Sequence, residues 1–255
     1  MTSSATMTMS ERADDLEEQM LEELNNKMAT KAVLYNMGDG KVEIQNGNAT
    51  LAANPCKYFL MGHDKRLPKM PDKPTLVDFM RLRFASTMHL LQSAKHALKA
   101  GLPEKTVLAC LLHDIAVVGF IRSDHGYWGA QLIEPYVDEE VSWAIRMHQC
   151  LRFFPDESVG YTYPEQYIKL FGPDYKPEPY IVAEYERAKK HKWYMTSRMI
   201  TCYDVYSFDP NAKVELEEFT DIIGRHFKQP KEGLGWDTTP SSHMWRTMNW
   251  PNRFL

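Results

Sequence analysis

From Thr75 onward, apolar side chains recur at helical spacing. Leu76, Phe79, Leu82, Phe84, Met88, Leu91 and Leu98 share a period close to that of a helix up to Gly101, a natural stop. They predict one long helical stretch. Pro103 and Glu104 open a second helix, KTVLACLLHDIAVV, whose near-continuous apolarity marks it as a buried central element. A third helix is expected from near His125 to near Pro135. A fourth is expected from Asp138 to about Arg152, with Val141, Ile145 and Met147 turned inward. An aromatic and proline-rich excursion then leads to a long helical segment, about 178–206, and a further helix near 214–227. Upstream, Ser10 can cap a helix to about Thr30 carrying Leu16, Met20, Leu21 and Leu24 on one face. Residues 31–75 lose the helical period, and AVLYNM with KVEIQNG, around Gly38 and Gly40, predict a small hairpin in an irregular wrap.

The expected organisation is therefore an N-terminal helix and irregular extension over 1–74, a helical core over 75–228, and a tail over 229–255 packed on that core. The tail holds Trp236, Trp245 and Trp250, three of the six tryptophans, and exposing all three would leave a large apolar patch. With 44% apolar and 25% charged residues the chain has a core to bury. A net charge of −4 and a pI near 6.1 supply no positive field for a nucleic-acid backbone or an anionic membrane. No stretch approaches the roughly 20 apolar residues of a bilayer span, and the polar, acidic N-terminus does not resemble a signal peptide. A cytoplasmic protein, a monomer or homodimer without nucleic-acid or membrane partners, is expected. Cys56, Cys110, Cys150 and Cys202 lie far apart with no CxxC pair, which suits free thiols.

The candidate chemistry lies in the core helices. His89 is followed by the doublet His113-Asp114, then by His125 and His148. A carboxylate beside an imidazole at the end of an apolar helix must be paired or coordinated, because burying it alone costs several kcal/mol. Histidine and carboxylate are suitable ligands for iron, manganese or zinc, and one Asp can bridge two ions. His96 shares the helix of His89 and reads as a packing residue, and His63, His191, His226 and His243 have no matching partner. The KKHK run at 189–192 reads as a solvated helix face.

The segments HLLQSAKHALKAG, VLACLLHDI, HGYWGAQLI, AIRMHQ and TCYDVYSFD resemble, in that order, the motifs of the HD-domain superfamily, metal-dependent helical proteins. The resemblance implies an all-α HD-domain helical bundle in which His89, His113, Asp114, His125, His148 and Asp204 hold metal. Retention of His125 and His148 is similar to the two-metal members. Among these, HGYWGA and the spacing from His148 to Asp204 look more like the mixed-valent diiron oxygenases, the group of inositol oxygenase and the organophosphonate-cleaving oxygenases. That likeness implies two iron ions, Fe(II)/Fe(III), with O2 as co-substrate and a small polar, phosphonate-like or polyol substrate. Asp114 would bridge the ions and, with His113, form the catalytic core. Arg152, four residues beyond His148, stands where the phosphonate oxygenases carry a substrate-contacting Lys, and Arg198 is a second candidate for substrate binding. Where the common doublet continues Ile-Gly-His or Ile-Gly-Lys, this chain has Ala116 and Val117 after Ile115. The alternative reading is a two-metal phosphohydrolase or phosphodiesterase acting on a phosphate ester or nucleotide. A third is a binding module that uses metal structurally.

Overall fold

Helix boundaries follow local capping and packing chemistry more closely than the apolar period does. The structure, a computed structural model, describes residues 69–250 with breaks at 85–86, 117–123, 166–167, 169–170, 206, 208 and 210, and four short strands between residues 33 and 60. The helix expected between Ser10 and Thr30 lies outside the described residues. Strand β1 (Val33–Tyr35) pairs antiparallel with β4 (Tyr58–Leu60), and β2 (Ile44–Gln45) pairs with β3 (Asn48–Ala49). Among the described residues, the strands within AVLYNM and KVEIQNG do not pair with each other as the expected hairpin requires. Ile44 and Gln45 pair instead with Ala49 and Asn48, across the Asn-Gly dipeptide that favours a two-residue connection.

By their contacts the residues form two units. One comprises residues 1–85, 231–238 and 242–255; the other comprises 86–230 with 239–241. In the first, α1 (Leu76–Leu82) opens with a capping box in which Thr75 accepts from the Asp78 amide and the Asp78 carboxylate accepts from the Thr75 amide. The stretch predicted as continuous to Gly101 breaks after α1. Arg83 leaves helical geometry at φ −127°, and its Nε donates to the Asn249 carbonyl at 2.8 Å. The tail returns to this helix: Leu234 N donates to Pro74 O, and α9 (Ser242–Asn249) buries Trp245 edge-on against Phe79, ring centroids 5.0 Å apart. Trp236 and Trp250 contact each other at 5.1 Å.

In the second unit α2 (Thr87–Lys99), α3 (Glu104–Leu112), α4 (His125–Ile133), α5 (Glu139–Leu151), α6 (Pro179–Ala188), α7 (Tyr194–Val205) and α8 (Thr220–His226) form an all-α bundle. The expected central element is central: every residue of α3 from Val107 to Leu112 is fully buried, and the helix packs against α2, α5 and α7. Gly101 ends α2 at φ +71°, a left-handed conformation that costs glycine little, and Leu102 N donates back to Ala97 O. The segment expected as one helix over 178–206 is two. Ala188 ends α6 and Tyr194 starts α7, so the KKHK run is a turn. Its His191 ring stacks on Trp143 of α5 at 4.0 Å, an aromatic contact that draws the chain out of helical register. Among the described residues no helix is long and apolar enough to cross a membrane.

Trp245 is the anchor of the first unit's described part. Trp245→Ala is expected to cost about 3–5 kcal/mol, the usual range for deleting a buried large aromatic, and to speed proteolysis of the tail. Urea unfolding with limited proteolysis checks this. An unchanged midpoint and an intact tail would show that the ring holds nothing.

Candidate metal centre

Five elements of the bundle each deliver a ligand type to one point. His89 lies in the first turn of α2, and His125 is the first residue of α4. His148 lies in the last turn of α5 and Asp204 in the last turn of α7. His113 caps the C-terminus of α3 at φ −59°, ψ −34°, and Asp114 follows in the turn. Because the doublet sits just past a buried helix end, its two side chains enter the bundle without displacing the apolar α3 core.

All six residues meet. His89 Nε2 lies 3.0 Å from Asp204 Oδ1, 3.2 Å from His113 Nε2 and 3.6 Å from Asp114 Oδ2. On the other side, His125 Nε2 lies 3.1 Å from Asp114 Oδ1 and 3.0 Å from His148 Nε2. Asp114 is thus common to two donor groups, one with His89 and His113, the other with His125 and His148. Asp204 joins the first group through His89 and His113, the latter at 3.6 Å.

The outer ring nitrogens show why these imidazoles face inward. Nδ1 of His89 bonds the Ser207 carbonyl at 3.1 Å, that of His113 the Cys110 carbonyl at 2.8 Å, and that of His148 the Ile145 carbonyl at 2.5 Å. A carbonyl only accepts, so in each ring Nδ1 carries the proton and Nε2 presents a lone pair. Two neutral Nε2 lone pairs 3.2 Å apart, as in His89 and His113, repel unless a proton or cation lies between them. The donor set therefore fits a metal. Two nitrogen donors each about 2.1 Å from one ion at a right angle lie about 3.0 Å apart, close to the spacings here.

Charge follows the same logic. Burial alone would raise the carboxyl pKa of Asp114 and Asp204. The imidazoles of His113 and His125 around Asp114, and of His113 and His89 around Asp204, hold both well below the usual carboxylate range. Burial would lower the pKa of His113, but Asp114 and Asp204 overcome it and raise the ring to about 9. Burial, with the neighbouring His125 and His113, depresses His148 well below its ordinary value. The site is ionised at its carboxylates, and that negative charge favours a cation among the inward nitrogens. His113 and His148 are sealed from solvent, whereas the side chains of His89, Asp114 and Asp204 keep 12%, 13% and 11% exposure.

The two arginines named from the sequence are placed differently. Arg152 is the C-cap of α5 with backbone angles still helical, φ −60° and ψ −25°, so helical phase runs unbroken from His148, and its carbonyl accepts from Tyr161 Oη. Arg198 is fully buried with its guanidinium on the C-terminal end of α5. It donates to Leu151 O at 3.0 Å and Tyr194 Oη at 3.1 Å, lies 3.6 Å from Asp156, and sits over the rings of Tyr161 and Tyr194. None of these partners belongs to the six. His96 stacks on Tyr203 and His226 bonds Glu104.

Three supporting residues were missed by the sequence reading. Gln92 bonds Asp209 twice, Nε2 to its carbonyl at 2.9 Å and its amide to Oε1 at 3.0 Å, fixing the segment after Asp204 to the helix of His89. Gln149 accepts from Gly126 N at 3.1 Å and so caps α4 from α5, tying His125 to His148. Gly126 lies so close to α5 that a Cβ would stand 2.7 Å from Ile145 O and 3.2 Å from His148 Cε1. The glycine was visible as a letter inside HGYWGA, but only the packing shows its purpose.

The HD-domain family profile matches residues 86–170, about a third of the chain. The match spans His89, His113, Asp114, His125 and His148 and stops before Asp204. It supports assignment of this segment to the HD superfamily, usually metal-dependent enzymes. Comparison with curated proteins returns no match.

Gly126→Ala is expected to force α4 off α5. The clash is with backbone, so overpacking of about 1–3 kcal/mol outweighs the gain of about 1 kcal/mol from removing a helical glycine. Gly129→Ala is the control, since its Cβ would meet nothing closer than 3.5 Å and only the favourable effect remains. Thermal unfolding and metal titration of both variants check this. Equal stability and equal metal binding would contradict the close-approach argument.

Proposed function

We propose that this chain is a two-metal enzyme of the diiron oxygenase kind, oxidising a small polar substrate with O2. The observation that carries the two-metal part is the sharing of Asp114: one oxygen faces His125, the other faces His89, and each side supplies further imidazoles. His89, His113 and Asp204 would hold one ion, His125 and His148 the other, and Asp114 would lie between them. The four imidazoles favour a transition metal over magnesium, whose sites are built from oxygen. The choice of oxygenase over hydrolase is supported by the sequence likeness of HGYWGA and of the His148 to Asp204 spacing to the diiron group.

Two irons, when bound, supply O2 activation and the redox steps. The chain's own residues supply the rest. The carbonyls of Ser207, Cys110 and Ile145 hold three rings in one tautomer, which keeps the inward nitrogens free as donors. A substrate would approach on the side of His89, Asp114 and Asp204, whose side chains keep a little exposure while His113 and His148 are sealed. Arg152, one helical turn beyond His148, would bind an anionic group of the substrate.

Protein purified without oxygen is expected to contain two irons per chain. After partial oxidation it should give a coupled Fe(II)/Fe(III) electron paramagnetic resonance signal. Asp114→Ala should lose both ions, because removal of the shared carboxylate leaves two cations facing each other. A manganese- or magnesium-loaded protein that hydrolyses phosphate esters and gives no such signal would assign the rival phosphohydrolase instead. For Arg152, the expected effect of Arg152→Ala is roughly 10-fold weaker binding of methylphosphonate, the loss of one charge-assisted bond. Titration at constant iron content measures it. Undiminished binding would place the substrate's anion elsewhere.

A further inference from the structure

A second group of charged and aromatic side chains lines a pocket on the bundle. Between the start of α4, the outer side of α5 and the start of α6 lies a shallow open pocket whose polar lining includes Asp124, Arg146, Gln149 and Glu184. Tyr127 and Tyr180 form aromatic walls.

Asp124 is the N-cap of α4, a position where Asp normally accepts from the first-turn amides. It makes no such bond. Its backbone is left-handed at φ +52°, the one non-glycine residue of that kind among those described, and Gln149 has taken over the Gly126 amide. The carboxylate is thereby released to the pocket. Glu184 supplies a second carboxylate, which among the described residues pairs at the surface with Arg187 at 3.6 Å. Both carboxylates act on the Tyr180 hydroxyl, whose pKa burial and these charges raise.

Arg146 lies on the same pocket with its guanidinium 4.8 Å from the centre of the Tyr127 ring. It forms no ion pair with Asp124 or Glu184. Charges of opposite sign that share a wall without neutralising each other fit a ligand that carries both signs. We propose that this pocket binds a small zwitterion of the amino-acid class, its ammonium toward Asp124 and Glu184, its anionic group toward Arg146, and its short apolar body against Tyr127 and Tyr180. A simple cation would meet Arg146 unfavourably, and a simple anion would meet two carboxylates. Asp124 adjoins His125, and Gln149 adjoins His148, so occupancy touches the residues that tie two of the candidate metal ligands together. The pocket stands whether or not those histidines hold iron.

Calorimetric titration of the full chain with glycine, β-alanine and 4-aminobutyrate, which differ in the separation of their charges, tests the proposal. Methylammonium and acetate serve as half-ligands. At least one amino acid is expected to bind 10-fold or more tighter than either half-ligand, as two charge-assisted contacts are replaced by one. Asp124→Asn keeps the tolerance for a left-handed backbone and removes the charge, and Arg146→Gln removes the other. Each should weaken the best amino acid about 10-fold, with metal content and circular dichroism unchanged. Absence of binding by all three amino acids, or binding indifferent to both substitutions, would overturn the proposal.

Discussion

Two carboxylates buried among four imidazoles set the terms for the rest of the bundle. An unpaired buried carboxylate costs several kcal/mol, and removing one partner from a buried ionic cluster costs more than the pair contributes. Asp114 and Asp204 are ionised only because His89, His113 and His125 surround them. The rings in turn point inward only because carbonyls on α3, α5 and the segment after α7 hold the outer nitrogens of three of them. Helices α3 and α5 therefore each contribute twice, through a ligand at or just past the helix end and through the backbone carbonyl that orients an imidazole.

That requirement explains why the helices close on one another as they do. Helix α5 carries His148 and offers Ala144 O and His148 O to Ser197 and Thr201 of α7, the helix that ends in Asp204. It also lends Gln149 to the first turn of α4. The closest approach, at Gly126, is possible because no side chain stands there. These polar bonds lie beside the site, and the apolar α3 interior, from Val107 to Leu112, holds the bundle by burial.

The ordered appearance of His89, His113-Asp114, His125 and His148 was legible because ligand chemistry allows few residue types, and a sequence displays types; Asp204 entered only through the family resemblance. The apolar α3 was legible for a similar reason. Helix ends were less so. The apolar period runs through Arg83 and through Lys189, where a tertiary bond to Asn249 and a stacking partner, Trp143, interrupt the chain. Gln92 and Gln149 could not be read at all, since an amide that clamps a backbone has the same composition as one that faces water. The Asn-Gly dipeptide between β2 and β3 was present in the letters and was passed over in favour of Gly38 and Gly40.

Arg198 shows how a residue near a site in sequence can serve it from a distance. The C-terminus of a helix carries partial negative charge and unsatisfied carbonyls, and a cation there is stabilising. Arg198 meets this need at the end of α5: it donates to Leu151 O, faces Asp156 and is held between two tyrosine rings. The next residue after Leu151 is Arg152, and Tyr161, one of the rings over Arg198, donates to the Arg152 carbonyl. The buried arginine thus fixes the backbone from which the half-buried one projects. One positive charge is committed to ending α5 in a defined place, and the placement of the other depends on it.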